Sequence, residues 1–143
     1  MELRDNLILE RYRLAIDRQR YFSGIARDAF ATYAKFAAGI GAIAVTLVSA
    51  RESLGLDKAV MPDAIAVLAC LLVFIAAVAI IQVVAAVVRW HRFRRLQAEI
   101  DPDTPTLHPL WWFPEAAYVL VILASLILGW RTLEALARAA SAN

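Results

Sequence analysis

Lys35 is the residue best placed to do chemistry, because it is the only charge in the 22 residues between Asp28 and Arg51, AFATYAKFAAGIGAIAVTLVSA. An ionisable side chain in so apolar a run marks a functional position by default. Two roles are open to it. It can line a water-filled path, paired with Glu115 or a headgroup phosphate, or it can snorkel to an interface about 9 Å of helix away. Gln82 and Ser125, each in another apolar run, are suited to hydrogen-bonding between helices inside a bilayer, worth on the order of 1 kcal/mol each. Arg89, Arg92, Arg94 and Arg95, with Trp90 and Phe93 interleaved, directly follow an apolar run. That position favours anionic lipid headgroups over nucleic acid as their partner. His91, Glu99, Asp101, Asp103 and His108 are metal-ligand types, but their spacing matches no metal motif, and Cys70 is the single cysteine. The chain has no P-loop, no Gly-rich dinucleotide turn, no nucleophile elbow and no HExxH. The expectation is no metal, no cofactor and no enzymatic activity.

The elements that must hold these residues follow from hydropathy. Hydrophobic residues make up 62% of the chain, against about 45–50% in a soluble domain. The excess is concentrated in three runs. Ala64 to Val88 carries no charge, no Gly and no Pro over 25 residues, about 37 Å of helix where a bilayer core needs ~30 Å. The expected architecture is an all-α membrane protein in a single membrane domain, with spans at 29–50, 63–88 and 112–130. A cytoplasmic amphipathic helix over 1–28, continuous with or next to the first span, leads into them. Residues 51–62 form a short external connection, in which Gly55 is suited to a helix end and Pro62 to a first helical turn. A basic and then Pro-rich loop covers 89–111, its first part an extension of the second helix, and 131–143 is an external tail. Trp111 and Trp112 lie about 27 Å of helix from Trp130, the spacing of two aromatic belts at the headgroups. The N-terminus carries charges where a signal peptide would be apolar. With Lys35 counted, Arg and Lys number 11 on the side of the N-terminus and 4 on the other, so the positive-inside rule selects N-terminus in and C-terminus out.

The first helix has two patterned faces. Leu3, Leu7, Leu14, Tyr21, Ile25, Thr32 and Phe36 recur at sums of three and four, an amphipathic stripe. Opposed to it, Asn6, Glu10, Arg13, Asp17, Arg20, Gly24 and Arg27 alternate steps of 4 and 3, a period of 3.5. Glu10 with Arg13, and Asp17 with Arg13 or Arg20, stand at ion-pair spacing. In an unbroken helix the same stripe continues as Ala31, Lys35, Ala38, Ala42, Thr46 and Ser49. Small and polar residues along one face permit close helix approach in lipid, so this face is expected to meet protein. Ala64 to Val88, apolar all round, is expected to be the anchor that says least about function.

The layout resembles the small bacterial membrane effectors of the SLATT type. Those have a cytoplasmic N-terminal helix, here ERYRLAIDRQRYF, feeding a close pair of spans, here AFATYAKFAAGIGAIAVTLVSA and Ala64 to Val88. The resemblance covers about the first 95 residues and rests on layout and on aromatic and basic residues. The third span and the outward C-terminus depart from that pattern, so no family residue is carried over. The resemblance implies a homo-oligomeric assembly in a bacterial inner membrane, a pore that disturbs the membrane in phage defence. Three functions compete: an oligomeric pore with the first helix facing the axis, a non-catalytic anchor or adaptor docking a soluble cytoplasmic protein through the N-terminal helix, and a small-solute transporter. The last ranks lowest, since three spans without broken helices or a polar midplane offer no site.

Overall fold

The chain is all-α. Its computed structural model describes residues 2–50, 53, 55, 57, 59–100 and 113–142. They form α1 (Glu2–Ser49), α2 (Met61–Ile100) and α3 (Phe113–Ala142), and each helix is long and apolar enough to cross a membrane. α1 is a single helix of 48 residues, about 72 Å long. It has no proline and only Gly24, Gly39 and Gly41 as weak positions. The N-terminal amphipathic helix and the first span are therefore one rod.

The turn after α1 is local chemistry. Ser53 Oγ donates to the Ala50 carbonyl at 2.8 Å, and Gly55 takes φ +63°, a left-handed conformation that glycine adopts without a Cβ clash. The Asp57 carboxylate then accepts from the Ala59 N–H at 3.1 Å, and α2 begins two residues later with Pro62 and Asp63 in its first turn. α2 runs on through residues 89–100, the helical extension expected there. α3 likewise continues past Trp130. Leu133 is buried, with Leu136 and Ala137 packed beside it, so the segment expected as an external tail belongs to the bundle.

α2 is the central element. Its buried positions Ala69, Leu72, Ala76, Ala79, Val83 and Ala86 alternate steps of 3 and 4, a heptad seam. Trp90, Phe93 and the buried Gln97 continue the same alternation beyond the span. α1 meets it antiparallel through Ala15, Phe22, Ala26, Ala29, Tyr33, Ile40 and Ala44. Alanines dominate both sides because nothing hydrophobic drives helices together in lipid, and close backbone approach is what yields dispersion energy. α3 closes the bundle through Ile122 and Leu133 and by Phe30 stacking on Tyr118 at 5.0 Å.

Two polar contacts fix the register. Outside the span, Gln19 Nε2 donates to Gln97 Oε1 at 2.8 Å, and Arg94 Nη1 donates to the same oxygen at 3.0 Å. Inside it, the hydroxyls of Tyr33 and Ser125 lie 2.8 Å apart, and Ser125 Oγ donates to the Ile122 carbonyl at 2.9 Å. Ser125 thus makes the interhelical hydrogen bond expected of it. Gln82 does not; its side chain is exposed.

Gly129 marks a close approach of α3 to α2, since a Cβ built there would lie 2.8 Å from Leu72 Cδ2. Gly129→Leu is expected to lower stability by about 1–3 kcal/mol through overpacking. Adding Leu72→Ala should recover part of that loss in thermal unfolding followed by circular dichroism in detergent. A Gly129→Leu chain that melts with the wild type would remove the close approach from the account.

Candidate functional site

The polar stripe singled out on α1 is exposed at Asn6, Glu10, Arg13, Asp17, Arg20, Arg27, Lys35, Ala38, Ala42, Thr46 and Ser49, and half-buried at Gly24. The reason lies in a constant offset. The packed residues Ala15, Gln19, Phe22, Ala26, Ala29, Tyr33, Ala37, Ile40, Ala44 and Val48 each stand two places after a stripe residue, from Arg13 to Thr46. Two residues are about 200° of helix, so the stripe lies nearly opposite the seam on α1 along both the span and its N-terminal extension.

The leucine stripe is a correction. Leu7, Leu14, Tyr21 and Phe36 are more than half exposed. They sit one residue, about 100°, from the packed line, which selects Ala over Leu for close approach. The expected ion pairs of the stripe are also missing. Among the described residues the salt bridges are Arg27–Asp28 at 3.9 Å and Glu134–Arg138 at 2.6 Å, both exposed. Glu10, Arg13, Asp17 and Arg20 keep their charges in solvent, where pairing two long side chains gains little.

The register sets the depth of Lys35. Counting along the antiparallel helices from Gln19–Gln97 and Phe22–Phe93 puts it opposite the segment near Ile80, eight residues inside the apolar run of α2. On α3 its neighbour Tyr33 bonds Ser125, midway along that helix's apolar run. The three helices agree on a position roughly 10–15 Å inside the inner boundary, a third to a half of the way through a ~30 Å core. Gly39 and Gly41 flank the same face, and a Cβ at either would meet nothing. The small residues here are not used by packing within the chain.

The basic segment after the span divides in two. Trp90 and Phe93, expected at the headgroups, turn partly inward, and Phe93 stacks on Phe22 at 5.7 Å. Arg94 is half-buried against Gln97, and the Arg89 guanidinium lies 5.9 Å from the centroid of the Phe22 ring. Arg92 and Arg95 remain exposed. Trp130 is exposed, whereas Trp111, Trp112, Asp101, Asp103 and His108 lie outside the described residues. Among the described residues no three His, Cys, Asp or Glu side chains gather closely enough to hold a metal ion.

Sequence reasoning missed Tyr33, Gln19 and Gln97 as positioning residues. The available signal for Gln97 was the 3-and-4 alternation that starts at Ala69. Fold and surface together define an all-α membrane protein built on a long helical hairpin closed by a third span. No protein-family model, curated protein or solved structure matches the chain.

His91 lies just beyond the span and offers a probe of this region. Burial pushes its imidazole below the ordinary value near 6.5, Arg95 pushes the same way, and Glu115 opposes them. The unfolded chain therefore takes up the proton first, and this group weakens the fold as pH falls through 6.5. Titration followed by the histidine Cε1–H resonances, assigned with His108→Gln, should give a midpoint below 6.5. Glu115→Gln should lower it further and Arg95→Gln raise it. A wild-type midpoint above 6.5 contradicts the placement of His91 beside Arg95.

Proposed function

We propose that this protein acts as a homo-oligomeric membrane assembly, a channel or pore, with α1 facing the assembly axis. The observation that carries the reading is the exposure of the polar side chains of the stripe opposite the seam, including Lys35 a third to a half of the way into the span. A lysine facing lipid at helix centre costs about 2.5–3.5 kcal/mol, and facing water relieves that cost. The exposed faces of α2 and α3 instead carry Val67, Phe74, Ile81, Leu120, Ile127 and Leu128, which suit acyl chains. Repeated around an axis, α1 would line a path with Thr46, Ser49 and Lys35 in the membrane and with charged residues below it. The charge distribution supports an inner-membrane orientation with the N-terminus in the cytoplasm, and the SLATT-type layout supports an effector-like role in a bacterial membrane.

A second reading has its own observation. Leu7, Ile8, Leu9 and Leu14 are about half exposed on the part of α1 that projects beyond the span. An apolar patch in water suits docking of a soluble cytoplasmic protein, with the spans serving as anchor.

Particle mass in nanodiscs and ion flux in liposomes separate the two. The pore reading expects several chains per particle, flux in the wild type, reduced flux in Lys35→Leu and altered charge selectivity in Lys35→Glu, each with an unchanged helical signal. A strictly monomeric particle without flux would falsify it and leave the anchor.

A further inference from the structure

Between α2 and α3, at the inner end of the span, lies an open groove of about 920 Å³, at the upper end of the roughly 300–1,000 Å³ typical of ligand sites. Its two parts differ in chemistry. The part inside the span is walled by Val84, Val87 and Val88 from α2 and Val119 and Leu120 from α3, with no charged group. The mouth, where the span ends, carries Arg92, Arg95 and Glu99 from α2 and Glu115 from α3. Among the described residues none of these four makes an ion pair, although Arg95 and Glu99 stand one helical turn apart. Two guanidinium and two carboxylate groups thus surround the outlet of an apolar channel.

We infer that this groove binds a phospholipid bearing a primary amine, with an acyl chain along the valine wall, its phosphate on Arg92 and Arg95, and its ammonium on Glu99 and Glu115. Guanidinium groups match phosphate by charge-assisted and bidentate hydrogen bonding. Carboxylates accept the N–H donors of an ammonium, which a quaternary choline lacks. With His91, which also lines the groove and whose pKa burial lowers, neutral at pH 7, the charges of the described mouth residues balance and complement a zwitterion and not an anion. The site is lined by α2 and α3 alone and shares no residue with the stripe of α1.

The test is lipid retention by the purified full-length chain, followed by native mass spectrometry, with phosphatidylethanolamine, phosphatidylcholine and phosphatidylglycerol of identical acyl chains in competition. At about fivefold per charged contact near the surface, the wild type should retain phosphatidylethanolamine at least fivefold over each of the other two. Glu99→Gln with Glu115→Gln should abolish the preference over phosphatidylcholine and favour phosphatidylglycerol. Arg92→Gln with Arg95→Gln should lower retention of all three lipids about tenfold or more, and Arg131→Gln, exposed on α3 and outside the groove, should change nothing. Val119→Trp, which fills the apolar part, should displace every lipid while circular dichroism confirms the fold. Equal retention of the ethanolamine and choline lipids by the wild type overturns the proposal, as does a preference that survives loss of both carboxylates. A wild-type preference for phosphatidylglycerol would overturn it too, reducing the mouth to a simple basic surface.

Discussion

Close approach of α1 to α2 is the constraint on which the other features depend. In water, leucines would hold two such helices together by leaving solvent, but in lipid that gain vanishes and only contact, hydrogen bonds and shape remain. The chain meets this with Ala15, Ala26, Ala29 and Ala44 on one helix and Ala69, Ala76, Ala79 and Ala86 on the other. Larger apolar side chains are thereby released to the outside, where Phe36, Val67, Phe74 and Ile81 stand exposed. An inverted protein, small inside and large outside, is what a bilayer solvent calls for.

A seam made of alanine is smooth, and a smooth seam specifies register weakly. The polar contacts supply what it lacks. Gln97, buried and bonded to Gln19, works outside the span as a buried amide does at a coiled-coil seam, penalising any slip that would strand it. Tyr33 performs the corresponding task among the spans, where an unpaired hydroxyl would have no water to turn to. The two locks stand fourteen residues apart on α1, about 21 Å. Between and around them every residue of α1 acquires a fixed depth and a fixed bearing, Lys35 included.

The spans were legible in the sequence because hydropathy and length alone decide whether a helix can cross a bilayer. The polar stripe was legible because Asn6 to Arg27 keep one period without exception. What could not be read was the packed face. The apolar stripe of Leu7, Leu14 and Tyr21 is not that face: α1 turns Ala15, Gln19 and Phe22 toward α2 and leaves these three exposed. For α2 the difficulty was greater: in a run of Ala, Val, Ile and Leu every face is apolar, and the heptad is written in side-chain size. Only its continuation through Trp90, Phe93 and Gln97, outside the lipid, carries a polarity contrast. The depth of Lys35 was likewise out of reach, since it depends on the register of α1 against two other helices and not on α1 alone.

The constant offset between seam and stripe has a further consequence for how α1 can be used. An ideal helix drifts by about 20° per heptad against a 3.5-residue repeat, so a straight stripe of that period would wind around the rod. Here the packed line and the polar line change step together: both run 4, 3, 4 around Lys35, from Tyr33 to Ala44 and from Ala31 to Ala42. Whatever supercoil the seam imposes is therefore inherited by the stripe, which keeps the same bearing relative to α2 in the span and below it. A second copy or a water column that meets Lys35 in the membrane meets Arg20 and Arg13 on the same side of the same rod. The side chains that most need a partner other than lipid thus form one continuous surface, which the bundle leaves uncovered along its whole length.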